Sequence, residues 1–155
     1  MGSYADDALF MSRNNIEYVE LISDDGKSKV MVIPAWQGRV MTTSAAGDEG
    51  DSYGWINYSF IKKRQIDLQF NPVGGEERFW LGPEGGVFSL YFRQGEKQIY
   101  KNWKVPPVLD IEAFKIQSQS KNCICLTKEG CLTNACGTTF YLNIKRTISL
   151  LDINE

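Results

Sequence analysis

A chain of 155 residues that is 43% hydrophobic and 23% charged has the composition of an ordered globular protein and the length of one domain with its own core. Its formal net charge is −2 and it has no run of lysine and arginine, so we expect no nucleic-acid partner. No apolar run approaches the roughly 20 residues that a membrane helix needs, so we expect no membrane partner either.

The chain contains no histidine. This absence excludes a Ser-His-Asp or Cys-His triad, a histidine-ligated metal and a histidine general base within these residues. Acid–base chemistry would therefore depend on carboxylates, lysine, tyrosine or cysteine. We expect no cofactor.

The first 14 residues are predicted to form a tail or a short helix, and residues 15–155 a β-sandwich domain. The helix would run from Tyr4 to Arg13, because aspartates in its first turn and an arginine in its last turn suit the helix dipole. The opening residues lack a charged segment followed by an apolar one, so no signal peptide is predicted. If Met1-Gly2-Ser3 stands in place of a removed signal peptide, the protein is expected in the periplasm or outside the cell. Otherwise it is expected in the cytoplasm.

From Ile16 onward apolar and polar residues alternate, which predicts β-strands. Asp24-Asp25-Gly26-Lys27 is typical of a hairpin turn, because Asp-Gly supplies the positive φ that a tight β-turn requires. The return strand Lys29–Ile33 ends at Pro34, and residues 37–43 are predicted as the next strand.

Three further segments precede residue 72. Residues 45–53 (AAGDEGDSY) are predicted as a solvated polar loop, because their carboxylates resemble calcium ligands in type but not in EF-hand spacing. Residues 54–61 (GWINYSFI) are dense in aromatic side chains and predict a strand or an aromatic platform. Residues 66–70 alternate in polarity and predict a half-buried strand.

The most distinctive stretch is residues 74–92, GGEERFWLGPEGGVFSLYF. Proline and glycine at positions 83–86 interrupt it, so we predict a strand, a tight turn and a second strand. Arg78 and Trp80 would share one strand face, with Glu84 near the turn. A guanidinium, an aromatic ring and a carboxylate together suit a sugar, whose hydroxyls need donors and acceptors and whose C–H face packs on a flat ring. The alternative is a structural Arg–Glu pair with Trp80 in the core.

The C-terminal third is predicted to contain three more strands. Residues 114–118 and 122–128 form two of them, and residues 129–138 form a loop. Residues 140–150 show the clearest alternation in the chain and form the last strand.

Two residues outside the central stretch are also candidates for ligand binding. Trp103 lies in a loop with two prolines, residues 100–107, which would present its ring. Arg146 lies on the apolar face of the last strand, where an unpaired charge costs several kcal/mol, so it must meet a carboxylate, carbonyl groups or a ligand. No catalytic residue is assigned, and the ligand-binding candidates are Arg78, Trp80, Glu84, Trp103 and Arg146.

The four cysteines all fall between positions 123 and 136. Their pattern, C-x-C-x5-C-x4-C, lacks the paired C-x2-C knuckles of common zinc sites. We therefore predict free, partly buried thiols and no metal, with a disulfide across the loop or a zinc site as the alternatives.

The fold class predicted from this pattern is all-β and antiparallel, because about nine or ten short strands are separated by regular turns. No internal repeat or low-complexity linker interrupts the pattern. On pattern alone, a jelly roll and an immunoglobulin-like sandwich are both open as topologies.

Three stretches resemble the beginning of a galactose-mutarotase-like (aldose 1-epimerase) domain. Residues 30–45, VMVIPAWQGRVMTTSA, are similar to its opening strand pair, with a turn that contains proline, glycine and arginine. Residues 74–86, GGEERFWLGPEGG, resemble its segment of paired glycines followed by Arg, Trp and Pro-Glu, and residues 137–151 resemble a strand with a basic residue. The whole chain also resembles an uncharacterised bacterial family placed in that superfamily.

This resemblance implies the N-terminal half of a large β-supersandwich that binds sugars in a concave face. Arg78 would contact the sugar, with Trp80 and Glu84 beside it. The superfamily's enzymes use a histidine acid and a glutamate base from later parts of a chain about twice this length, and no histidine is present here. Half of a supersandwich would leave strand edges and an apolar sheet face uncovered, so we expect either a smaller sandwich or a homo-oligomer that associates through that face.

Three functions are consistent with the sequence. The first is a carbohydrate-recognising domain without the catalytic histidine, and in this case the chain binds a sugar and does not catalyse its conversion. The second is a sugar epimerase or mutarotase-like enzyme that uses carboxylates, with Glu84, Asp110 or Glu112 as acid and base. The third is a structural or assembly domain with no ligand.

Overall fold

The computed structural model describes residues 2–151 and is mainly β, with two antiparallel three-stranded sheets and few helices. The all-β prediction is therefore confirmed at this coarse level. The prediction of nine or ten strands is wrong, since the described residues contain six.

The N-terminal sheet follows a ten-residue helix, α1 (Tyr4–Arg13), which has the predicted bounds. Ser3 caps this helix, because its hydroxyl accepts from the Asp6 amide while the Asp6 carboxylate accepts from the Ser3 amide. Three strands then pair in the order β1-β2-β3. Their bounds are β1 (Val19–Ile22), β2 (Lys29–Ile33) and β3 (Arg39–Ser44).

The C-terminal sheet is a second antiparallel meander, with strand order β4-β5-β6. Its strands are β4 (Lys115–Gln119), β5 (Cys123–Thr133) and β6 (Thr139–Ser149). The alternation predicted for the last strand is confirmed, since Ile144 is buried while Tyr141 is 87% exposed. The predicted loop over residues 129–138 is wrong in its first half, because β5 continues to Thr133.

Residues 45–114 connect the two sheets with little regular structure. They contain one short helix, α2 (Tyr58–Lys63), and two 3-10 turns at Tyr100–Asn102 and Pro107–Leu109. The strands predicted within residues 54–61, 66–70 and 74–92 are therefore wrong as strands.

Strand β2 is buried along its whole length because it faces two hydrophobic cores. Val30 and Val32 face a core that contains residues of both sheets, including Ile124 and Leu126 of β5. Alternate side chains of a strand point to opposite faces, so Met31 belongs to a second core with side chains of α1 and α2. Among residues 2–151, no helix combines the length and apolarity that crossing a membrane requires.

Candidate functional site

A row of stacked aromatic rings lies across the connection between the sheets. The rings of Trp80 and Tyr91 have centroids 5.2 Å apart, and those of Tyr91 and Trp103 are 5.5 Å apart and nearly parallel. Tyr100 stacks on Trp103 at 6.3 Å. At the other end, the Arg78 guanidinium lies 4.2 Å from the centroid of the Trp80 ring, a cation–π distance. We call these five side chains the aromatic row.

The buried ring of Tyr91 anchors the row to the backbone. Its hydroxyl donates to the carbonyl of Leu81 at 2.6 Å, and its own carbonyl accepts from the amide of Lys104 at 2.9 Å. Tyr100 and Trp103 are three positions apart in a 3-10 turn, a spacing that places side chains above one another. The row is therefore fixed by local turns and hydrogen bonds, although it contains no strand.

A groove of about 540 Å³ opens beside the exposed end of the row. Glu84 lines this groove and lies close to the row, because the Trp80 Nε1 donates to the Glu84 Oε1 at 2.8 Å. Gln98 fixes the same loop, since its side-chain amide accepts from the Gly86 amide and donates to the Gly86 carbonyl, both at 2.7 Å. We call this the Glu84 groove, and its lining includes Glu84, Phe92, Gln98, Tyr100 and Trp103.

Arg78, Trp80 and Glu84 lie together as predicted, since Trp80 contacts both of the other side chains, but the three differ in exposure. Glu84 is exposed and Trp80 is half-buried, whereas the Arg78 side chain is only 21% exposed. The Arg78 Nη2 donates to the Leu109 carbonyl at 2.5 Å and lies 3.4 Å from the Asp110 carboxylate. Burial lowers the pKa of this guanidinium, and the charge of Asp110 opposes that shift. Arg78 therefore packs against Trp80 and is held by Leu109 and Asp110, and it is not among the residues that line the Glu84 groove.

Asp110 is a buried carboxylate next to Arg78, at one end of the row. One of its oxygens accepts from both the backbone amide and the side-chain amide of Asn71, at 2.9 and 2.7 Å. Burial raises the pKa of Asp110, while the Asn71 hydrogen bonds and the Arg78 charge act in the opposite direction. Together with Asn71, Asp110 lines a separate, mostly apolar groove of about 350 Å³ beside Trp36 and Ile61.

We predict that Asp110 makes the protein less stable as the pH rises. Because its pKa is raised on folding, its contribution to stability is fully present below the ordinary value of 3.8 and is lost as the pH rises through the raised value. Asp110→Asn should remove this component, so the free energy of unfolding of the wild type should fall relative to the variant across that window. Urea unfolding at a series of pH values measures the difference, and parallel pH profiles would contradict the prediction.

Comparison with known proteins identifies one family. Residues 2–155 match the family described as "Family of unknown function (DUF6786)". The chain belongs to this family. No curated protein and no solved structure is significantly similar to the DUF6786 chain.

Arg146, the fifth predicted ligand-binding residue of the DUF6786 chain, lies apart from the aromatic row. Its Nη2 forms an ion pair with the Glu77 carboxylate, and its guanidinium lies 5.9 Å from the centroid of the Phe79 ring. The carboxylate partner expected for this cation is therefore Glu77. Glu112, a candidate acid in the enzyme hypothesis, is paired with Lys128 at 2.6 Å.

A second buried arginine was missed by the sequence analysis. Arg39 is fully buried at the start of β3, and its Nη1 donates to the Gly74 carbonyl at 2.8 Å. Burial lowers its pKa to about 10, and the like charges of Arg78 and Arg146 act in the same direction. The only sequence signal was its place at the end of residues 34–39, which read P-x-x-x-G-R.

The metal and cysteine predictions concern other parts of the DUF6786 chain. All four cysteines are free, as predicted, with Cys125 buried and Cys131 and Cys136 exposed. Asp48, in the polar loop of residues 45–53 whose carboxylates resemble calcium ligands, pairs with Lys29 at 2.6 Å. Within residues 2–151, no group of three or more acidic or cysteine side chains is arranged to hold a metal ion.

Proposed function

We propose that this chain is a carbohydrate-binding domain whose ligand lies in the Glu84 groove. The observation that carries the proposal is the aromatic row, which ends at this groove with Tyr100 78% exposed and stacked on Trp103. A sugar ring places its C–H face on such a ring and its hydroxyls against polar side chains. Glu84 and Gln98 supply acceptors and a donor on the same lining.

Preorganisation of the polar groups supports this function. The Glu84 carboxylate is oriented by the Trp80 indole N–H, and Gln98 is held by the Gly86 backbone. Groups that are fixed before binding lose little conformational entropy when a ligand arrives. In this proposal Tyr100, Trp103 and Glu84 contact the sugar directly, while Arg78 and Trp80 hold the contacts in place.

We further propose that the two sheets belong to a sandwich of galactose-mutarotase type. The support is the resemblance of three stretches, which fall on the β2–β3 turn, on the aromatic-row segment and on β6. Glu77 connects all three, since it bridges to Val40 and pairs with Arg146. An experimental structure of this chain, compared with those of mutarotases, would test this assignment.

The binding proposal predicts the effects of two substitutions. Tyr100→Ala removes an exposed stacking ring and Glu84→Gln removes the acceptor charge, so each should weaken sugar binding by about fivefold or more, the scale of one lost aromatic or charge-assisted contact. Tyr141→Ala, which removes an 87% exposed ring from β6, is the matched control and should bind as the wild type does. Titration of mono- and disaccharides, followed by the NMR signals of the four tryptophan indoles, measures the affinities.

The same samples separate binding from catalysis. Glu84 and Asp110 line different grooves, so the two carboxylates do not form an acid–base pair around one ligand. We therefore expect no acceleration of hexose anomer exchange in NMR exchange spectra. Acceleration would favour the enzyme hypothesis, and the absence of any sugar response at Trp80 or Trp103 would favour a structural domain.

A further inference from the structure

A second groove, of about 520 Å³, lies beside α1 and the loop that follows β3. Its exposed wall is aromatic, since Tyr53, Trp55 and Tyr58 are 57%, 64% and 40% exposed. Its floor is polar and buried, with Asp7 and Ser52 exposed by only 2% and 3%. We call this the Trp55 groove, and it shares none of these residues with the Glu84 groove.

The backbone of the Trp55 groove is held closely against neighbouring segments. An alanine Cβ at Gly54 would lie 1.9 Å from the Met41 carbonyl oxygen, so only glycine permits this approach to β3. On the other side, the Trp55 carbonyl accepts from the amide of Gly75 at 2.8 Å. The exposed rings are therefore presented by a fixed backbone, which suits a binding surface.

The hydroxyl groups of the floor direct their protons toward Asp7. Ser52 and Tyr58 each donate to one oxygen of the Asp7 carboxylate, and the Ser52 oxygen is in turn hydrogen-bonded to the hydroxyl of Thr42. Burial and the bond to Asp7 raise the pKa of Tyr58 to about 12, which keeps this hydroxyl protonated. Because these protons are already used, the floor side chains offer lone pairs and a negative charge to a ligand, but no donor.

The charge around the groove is also one-sided. Among residues 2–151 no lysine or arginine lines the groove, and Asp7 is the one charged residue of its described lining. Lys62, one turn beyond Tyr58, does not line the groove and lies 5.8 Å from the Phe10 ring centroid. Aromatic walls and a floor of acceptors with one carboxylate are complementary to a cation that carries N–H donors.

We propose that the Trp55 groove binds the primary ammonium group of a small alkylamine. The N–H donors meet the oxygens of the floor and the alkyl chain packs on the rings of Trp55 and Tyr53. A sugar is the less suitable ligand, because its hydroxyls need donors as well as acceptors. This site is independent of the proposed carbohydrate function.

The test compares two small probes of the same size, n-butylammonium and 1-butanol, by NMR titration of the tryptophan indole signals. Butylammonium should shift the Trp55 signal saturably, and 1-butanol should bind at least about fivefold more weakly because it lacks the charge. Equal responses would mean an apolar groove without ammonium recognition and would overturn the proposal. A response of Trp55 to sugars and not to butylammonium would also overturn it.

Two variants assign the binding to named side chains. Asp7→Asn removes the charge and adds donors to the floor, so binding should fall by about tenfold or more. Trp55→Ala removes a largely exposed ring, so the protein should stay folded while the affinity falls about threefold or more, as expected for a lost cation–π contact. Tyr141→Ala should leave binding unchanged. Wild-type affinity in folded Trp55→Ala would contradict the proposal even if Asp7→Asn does not fold.

Discussion

Replacement of Gly74 by alanine is expected to lower the free energy of unfolding by about 3 kcal/mol or more, because two penalties add at one position. Gly74 has a φ of +98°, which L side chains rarely adopt, and a Cβ there would lie 2.1 Å from the Trp55 carbonyl oxygen. The same residue bridges to Ile56 and accepts the hydrogen bond of the buried Arg39. Urea unfolding followed by tryptophan fluorescence measures the loss.

Two other glycines separate the penalties. Gly26 has a φ of +74° with open space around it, so Gly26→Ala should cost only the backbone strain, about 1 kcal/mol. Gly85 has neither a positive φ nor a close contact, so Gly85→Ala should be nearly neutral. A Gly74→Ala protein as stable as Gly26→Ala would show that the contact with Trp55 relaxes without cost.

Replacement of Tyr91 by alanine should destabilise the protein by about 3–5 kcal/mol, the usual range for removing a buried aromatic ring. Tyr91 is buried at the centre of the aromatic row, between Trp80 and Trp103. The loss should also disorder the Glu84 groove, since Trp80 and Trp103 each lose the ring that joins them in the row. Unfolding curves and the indole NMR spectrum measure the two effects together.

Tyr91→Phe is the matched control for that experiment. It keeps the stacked ring and removes only the hydroxyl that donates to the Leu81 carbonyl, so it should cost about 1 kcal/mol and leave the groove ordered. Equal losses in the two variants would mean that the hydrogen bond, and not the stack, holds the row.

The elements that could be predicted from the sequence are those whose capping residues or apolar periodicity match the way they are packed in the structure. The bounds of α1 follow from its charged ends, and β6 follows from a strict alternation with one buried face. The segment at residues 66–70 alternates equally well but is not a strand. There the Asn71 side chain accepts from the Asp67 amide and donates to the Asp67 carbonyl, so local hydrogen bonds replace the strand ladder.

The candidate site was predictable only in part, for a related reason. The turn at residues 83–86 brought Glu84 near Trp80 as expected, because Gly86 has a φ of +84° that allows the chain to fold back. The stacking of Tyr91 and Tyr100 on Trp103 depends on the path of an irregular connection, which has no periodicity to detect. The burial of Arg78 against Leu109 and Asp110 depends on residues about 30 positions away, which local patterns do not report.

The division into two sequential meanders has a consequence for the order of folding. Each strand pairs with its immediate neighbour in the chain, so both sheets need only short loops to close and can assemble rapidly. By contrast, contacts such as that of Glu77 with Arg146 join residues 69 positions apart. We therefore expect the two ends of the molecule to form first, and the speed of the whole reaction to be limited by the ordering of the middle, where both proposed grooves have most of their walls.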